Sequence, residues 1–292
     1  MARTYNEMTM DARRRLRETG MEEYSLEARR LVAYAAECSE AELLARANLY
    51  SGEKTEERLE DALSRRIAGE PLAYICSEWE FYGRRMTVTP DVLIPRIDTE
   101  VLVSTALEFL RTMEDPRILD LCCGSGCIGC VLGAELPSAR LVLADVSPGA
   151  LSVARQNVNR HDLGARIVCL EADALLPPAV RMHDFDMIVS NPPYIAEAEL
   201  AALDPSVRDW EPHIALDGGE DGLKFYRSII RDWKSVLRDN GVLILEVGEG
   251  EASPVQALLQ EAGFSGIGSV QDTVGTERVV FGLKNPETTI EA

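Results

Sequence analysis

The sequence is poor in several things, and each shortage removes a class of function. No apolar run in its 292 residues reaches membrane-spanning length, and the opening MARTYNEMTM has no apolar core of the kind an export signal needs. No membrane partner is expected, and the expected location is the cytoplasm. Basic residues are in deficit, 30 Lys and Arg against 49 Asp and Glu, which gives a formal charge of -19. Such a surface repels phosphate backbones, so direct nucleic-acid binding is not expected, whereas a protein or small-molecule substrate is. Histidine is scarcer still. His161, His183 and His213 are scattered, so they offer neither metal-ligand spacing nor a paired acid and base. Seven cysteines is an odd number, and in a chain read as cytoplasmic they do not suggest a disulfide framework. Four of them, Cys122, Cys123, Cys127 and Cys130, crowd around a glycine turn. Cys127 and Cys130 share a helix face, but Cys122 falls in strand or turn and no histidine is near. The four read as small side chains filling tight space, and no metal is expected.

What the chain does have is a hydrophobic content of 46%, and its length suits two domains, one of them large. Residues 1–70 read as a small helical bundle that meets the substrate. Leu31, Tyr34, Ala35 and Cys38 fall on one face, Ser39 and Glu42 have capping-box spacing, and Leu59, Leu63 and Ile67 form a second stripe ending at Gly69. Over 71–95 the apolar period changes to two: Trp79 and Phe81, then Met86 and Val88, flank Gly83 as in a β-hairpin linker. Over 96–292 strands and helices alternate. Strands are expected at 117–121, 141–145, 166–170, 185–189 and 241–247, with helices from about Cys127 and over 148–159. This pattern is α/β, a parallel sheet with helices on both faces. The runs 267–271 and 278–283 have no helix between them, so a hairpin there makes the last strand antiparallel. The polar tail from Asn285 is expected to fray.

Two segments carry chemistry. In LDLCCGSGCIG, Gly124, Gly126 and Gly129 satisfy G-x-G-x-x-G, where glycine lets backbone approach a ligand and the following helix offers free N–H groups. Asp145 ends the second strand of the series, where a carboxylate accepts both hydroxyls of an adenosine ribose. Together they indicate an adenosine-containing cofactor without choosing one. The choice falls to Asn191, Pro192, Pro193 and Tyr194, which follow the fourth strand. Proline has no N–H and fixes the residue before it in extended geometry, so the segment is a rigid set of acceptors beside an aromatic ring. Hydride transfer has no use for that arrangement. Methyl transfer to a planar N–H₂ group does: the Asn191 oxygen and the Pro192 carbonyl each accept one N–H, Tyr194 stacks on the flat group, and developing positive charge on nitrogen is stabilised.

The chain resembles the protein-(glutamine-N5) methyltransferases that modify peptide chain release factors, the HemK/PrmC family. The resemblance runs almost end to end, through GEPLAYI at 69–75, EFYG at 80–83, VTPDVLIPRIDTE at 88–100, DLCCGSG at 120–126, VSNPPYI at 189–195 and EPHIALDGGEDGL at 211–223. It implies a Rossmann-like class I methyltransferase sheet of seven strands, the last antiparallel, behind the helical domain. It implies S-adenosylmethionine as cofactor and class-I release factors as the protein partner, methylated on the glutamine of their GGQ motif; a monomer is expected. On that likeness Cys122, Cys123, Gly124, Ser125 and Gly126 hold the methionine end of the cofactor, Asp145 the ribose, and Asp173 and Ala174 lie by the adenine. Pro95 and Arg96 line the same pocket, Asn191 borders it, and Asn191 to Tyr194 clamp the glutamine amide. The chain departs from the family where Cys122 and Cys123 replace glycine and threonine and Ile97 replaces proline. A side chain at Cys122 is expected to crowd the loop or force its angles. NPPY alone also occurs in nucleic-acid amino-methyltransferases, so the alternatives are methylation of another protein glutamine, as in a ribosomal protein, or of a base. A nicotinamide oxidoreductase, suggested by the glycines alone, and a binding module that has lost catalysis stand further off.

Overall fold

The computed structural model of the protein describes residues 3–285. The tail expected to fray lies, beyond Asn285, outside the described residues; Asn285 itself donates from Nδ2 to the Gly263 carbonyl at 2.9 Å. The chain divides into two compact units: residues up to Glu78 with Pro205–Trp210, and Trp79–Asp204 with the residues from Glu211 onward.

The first unit is helical. Tyr5–Glu18, Tyr24–Ala35, Glu40–Ala45, Glu53–Ile67 and Leu72–Cys76 pack around Met8, Leu16, Leu31, Val32, Leu59 and Leu63, all fully buried. The capping box at Ser39 is present: Ser39 Oγ accepts from the Glu42 N–H, and the Glu42 carboxylate accepts from the Ser39 N–H. A second box, Thr4 with Glu7, starts the first helix. Two expectations are corrected. Ile67 does not join the buried stripe; it is 42% exposed, because it ends its helix where the chain turns through Ala68 to Gly69. Nor does a period of two begin at Pro71. Leu72–Cys76 is a helix, buried nearly all round, so its apolar run carries no period to read.

In the second unit, β1 (Glu78–Phe81) and β2 (Arg84–Thr87) pair around Gly83, whose φ is 69°. The helix Thr99–Leu110 follows, which the sequence did not signal. Then come β3 (Arg117–Leu121), β4 (Arg140–Asp145), β5 (Ile167–Glu171), β6 (Phe185–Ser190), β7 (Leu237–Glu246), β8 (Phe264–Gln271) and β9 (Glu277–Lys284), in the sheet order β5-β4-β3-β6-β7-β9-β8. β3 to β7 are parallel and β9 runs antiparallel to both its neighbours. Strand residues alternate between two cores. Ile118, Met187, Val189, Val242 and Ile244 face one, and Leu119, Leu121, Ile188, Leu243 and Leu245 face the other. With both faces covered, the ligand-accessible part of the sheet is the edge where the strands end. Leu121, Ala144, Ser190 and Leu245 lie in register there, on the carboxyl side where open α/β sheets bind ligands.

Candidate active site

A cleft of about 870 Å³, its mouth included, opens at that edge. Pro95, Arg96, Cys122, Cys123, Gly124, Ser125, Asp145, Asp173, Ala174, Asn191 and Pro193 all line it. Three of the expected site residues are not part of its lining. Gly126 backs the loop, Pro192 is buried and Tyr194 is half-buried.

The loop after β3 turns through three left-handed residues, Cys122 (φ 60°), Gly124 (φ 52°) and Gly126 (φ 74°). Only Gly126 is forced to be glycine by its surroundings as well as its angle, since a Cβ there would stand 2.8 Å from Leu143 Cδ2 and 3.1 Å from Ala154 Cβ. Cys122 answers the question its position raised. The loop keeps the left-handed angle and the cysteine adopts it, at a cost of roughly 1–2 kcal/mol for an L-residue. The cysteine side chain joins the cleft lining. Ile97, the other departure, is 79% exposed. The loop is tied on three sides: Cys123 N–H donates to the Ala144 carbonyl at 3.0 Å, Gly124 N–H to Asp145 Oδ2 at 2.8 Å, and Asn157 Nδ2 to the Ser125 carbonyl at 2.9 Å.

Asp145 therefore braces the loop while facing the cleft. Its Oδ1 accepts from the Ser147 N–H at 2.9 Å, and the following helix is capped by Ser147 rather than by Asp145. Burial raises its pKa, and the backbone N–H groups of Ser147, Gly124 and Val146 pull it down. Each oxygen keeps a lone pair for a further donor, as a ribose diol requires. Asp173 Oδ1 accepts from Leu175 N–H at 2.8 Å, and the Ala174 carbonyl is taken by Ser228 and Trp233, which fixes this wall of the cleft. The opposite wall, 92–96, is held by a residue the sequence did not single out. Glu211, 5% exposed, accepts from the Ile94 N–H at 3.0 Å and pairs with Arg96.

Beyond β6, Ser190 Oγ donates to the Leu121 carbonyl at 2.6 Å, and Asn191 Nδ2 donates to Thr99 Oγ1 at 3.2 Å. That bond engages the amide nitrogen, and Asn191 lines the cleft. Behind Tyr194 the chain is caged by 216–222: Ile195 N–H donates to the Leu216 carbonyl, Gly218 N–H to the Ile195 carbonyl and Glu197 N–H to the Gly219 carbonyl. A Cβ on Gly218 would lie 2.6 Å from the Tyr194 carbonyl carbon. Thr99, Glu246, Ile214 and Phe225 also belong to the site or its support, and most reach it only through tertiary packing. Glu246 alone had a local signal, a carboxylate closing a strand that is otherwise buried and apolar. Among the described residues no group of three His, Cys, Asp or Glu is placed to hold a metal, and no helix is long and apolar enough to cross a membrane. All seven cysteines are free, and burial pushes the Cys127 thiol up to about 12.

A seven-stranded sheet, parallel but for one strand, with a glycine loop, an aspartate and a proline-rich turn at its carboxyl edge is the class I methyltransferase fold. The fold is shared with a solved methyltransferase from Pyrococcus furiosus, at a TM-score of 0.52 and 16% identity over 78% of this chain and 100% of that one. Residues 97–204 match the methyltransferase small domain and residues 7–76 the PrmC N-terminal domain. The release factor glutamine methyltransferase of Geobacter sulfurreducens is 45% identical over 220 residues, 75% of each chain. That of Moorella thermoacetica is 39% identical over 278 residues, 95% of this chain and 97% of its own. The chain belongs to the release factor glutamine methyltransferase family.

Proposed function

We propose that this protein transfers a methyl group from S-adenosylmethionine to the side-chain amide nitrogen of the GGQ glutamine in class-I release factors, acting as a monomer in the cytoplasm. The observation that carries the reading is the Asn191 amide, whose nitrogen donates to Thr99, on the wall of the cleft that Asp145 and the glycine loop also line. When bound, the cofactor supplies an electrophilic methyl group. Cys122 to Gly126 would hold its methionine end, Asp145 its ribose, and Asp173 and Ala174 its adenine.

The chain's own residues do the rest. An amide nitrogen is a poor nucleophile because its lone pair is delocalised into the carbonyl. Asn191 Oδ1 and the Pro192 carbonyl accept its two N–H groups, orient it for in-line attack and stabilise the positive charge that develops on it. Tyr194 lies against the flat amide, and the surrounding loops exclude water. The nitrogen loses its proton to solvent after transfer, so no histidine is needed. The helical unit and residues 71–95 are assigned to substrate binding and to linking, and the acidic surface favours a protein over a nucleic-acid substrate.

The test is mass spectrometry of a purified class-I release factor after incubation with the protein and S-adenosylmethionine, which should show one added methyl on the GGQ glutamine. Asn191→Ala should lower the rate by about a hundredfold or more, with folding intact, as for loss of one preorganised hydrogen-bonding partner. Methylation at another residue, or near-normal turnover of the variant, overturns the reading.

A further inference from the structure

Glu246 is the last residue of β7, 2% exposed, and its Oε2 is buried with no hydrogen-bond partner among the described residues. Such an atom costs free energy unless it has a task. Its neighbour is informative. Ser190 of β6 pairs with Leu245 of β7, so the next residue along each strand is Asn191 and Glu246. That register sets the Glu246 carboxyl beside Asn191, whose amide donates to Thr99, and both the Asn191 amide and the Thr99 hydroxyl favour its ionised form. The amide clamp works only if Asn191 turns its oxygen, not its N–H₂, toward the substrate nitrogen. Thr99 cannot enforce that choice, since a hydroxyl both donates and accepts and would tolerate either orientation. An ionised carboxylate only accepts, so it tolerates one.

We propose that Glu246 is a positioning residue for the clamp: as a carboxylate it draws the Asn191 N–H₂ inward and so holds Asn191 Oδ1 outward, an inference that rests on the amide-methylation reading above. Protonated, Glu246 becomes a donor as well, Asn191 can reverse, and its N–H₂ then meets the substrate N–H₂, two donors face to face. The protein thus carries a proton-dependent brake on its own acceptor. Burial raises the Glu246 pKa to about 7 and the charge of Asp98 adds to that, while Thr99, Arg278 and Asn191 pull it down. The remaining groups that face it are Tyr194, Cys127 of the helix after β3, and Tyr226, whose hydroxyl donates to the Glu246 backbone carbonyl at 2.9 Å. The active form is the deprotonated one, so turnover should rise with pH through about 7.

Two measurements test this. The first compares kcat and KM for a purified class-I release factor from pH 5.5 to 9 in the wild type, Glu246→Gln and Glu246→Asp. Glutamine both donates and accepts, so Glu246→Gln should lose about tenfold to a hundredfold in kcat and lose the rise near neutrality, with cofactor binding retained. Glu246→Asp, acceptor-only when ionised, should keep the rise and recover part of the rate. The second needs no substrate: the ¹⁵N-labelled side-chain amide of Asn191 should titrate near pH 7 in the wild type and not in Glu246→Gln. A wild type that fails to methylate the release factor, while its Asn191 amide titrates as stated, refutes the substrate reading and upholds Glu246. An Asn191 amide indifferent to pH, or a Glu246→Gln enzyme with wild-type kcat and pH profile, overturns the proposal. Should Glu246→Gln not fold, Glu246→Asp decides: an unchanged rise near neutrality supports the proposal and a flat profile overturns it.

Discussion

Gly218 is the place where a single methyl group should separate fold from function. A Cβ there would stand 2.6 Å from the Tyr194 carbonyl carbon, 2.7 Å from Tyr194 Cα and 2.9 Å from the Gly222 carbonyl oxygen. All three are backbone atoms, so no side-chain rotation relieves the clash. To reach ordinary contact, at 3.4 Å, Tyr194 and 218 must separate by about 0.8 Å. The strain of that overpacking is about 1–3 kcal/mol, which in a unit of this size corresponds to a fall of roughly 2–12 °C in Tm. The functional cost is larger. Displacing a positioning group by about 1 Å costs on the order of a hundredfold in rate, and Tyr194 is continuous with Pro192 and Asn191. Gly218→Ala should therefore lose about a hundredfold in kcat for methyl transfer while binding S-adenosylmethionine as before, because the loop after β3 is untouched. Gly164→Ala is the control: its nearest neighbour is Asn159 Oδ1 at 3.7 Å, an ordinary contact, and neither Tm nor kcat should change appreciably. Thermal scanning and initial rates at saturating cofactor measure both. A Gly218→Ala protein with wild-type kcat would show that the position of Tyr194 does not matter to turnover and would sink this account of the cage.

Two further predictions follow from the loop. Cys122→Gly removes a left-handed cysteine, and since glycine's extra chain entropy takes back part of the gain, it should stabilise the protein by up to about 1 kcal/mol; thermal shift with and without S-adenosylmethionine measures it, and a lowered Tm would refute the strain. Asp120, fully buried with Oδ2 accepting from the Gly129 N–H at 2.9 Å, is raised by burial from 3.8 to about 8. Between those values the unfolded chain has released the proton that the folded one keeps, so stability falls as pH rises from about 4 to about 8 and levels off above. Asp120→Asn keeps an acceptor for Gly129 and removes the titration, so its Tm should decline less than the wild type's between pH 5 and pH 8; parallel profiles would refute the assignment.

How much of this could be read in the chain depended on whether the signal was local. The strands were legible because apolar runs of five or six residues stop at glycine, aspartate or proline. The NPPY turn was legible because two adjacent prolines admit few geometries. The helix Thr99–Leu110 was not: TEVLVSTALEFL is apolar over most of its circumference, so no stripe stands out, yet it supplies the Thr99 that accepts from Asn191. The place of β9 was hidden for a different reason. A terminal hairpin can add to a sheet through either strand, and only packing puts β9 against β7 with β8 outside. The departure at Cys122 was visible as a residue but not as an angle; only the backbone shows that the loop kept its left-handed turn. Glu246 could be seen closing an apolar strand, but its partnership with Asn191 exists only through the register of β6 and β7.

The position of β9 also sets an order for biosynthesis. A ribosome releases the chain from its N-terminus, so the loop, the clamp and Glu246 emerge before the strand that flanks them. Until 277–284 have been made, Val242–Glu246 lacks its outer partner, Val279–Leu283, and Arg278 cannot reach Asp98, 3.3 Å away in the finished molecule. A nascent chain stopped short of β9 holds nearly all the groups of the site beside an unpaired, apolar strand edge, the kind of surface that recruits other chains. Truncation there should produce not a slower enzyme but an aggregating polypeptide, so that nascent chains complete the sheet before they can begin to work.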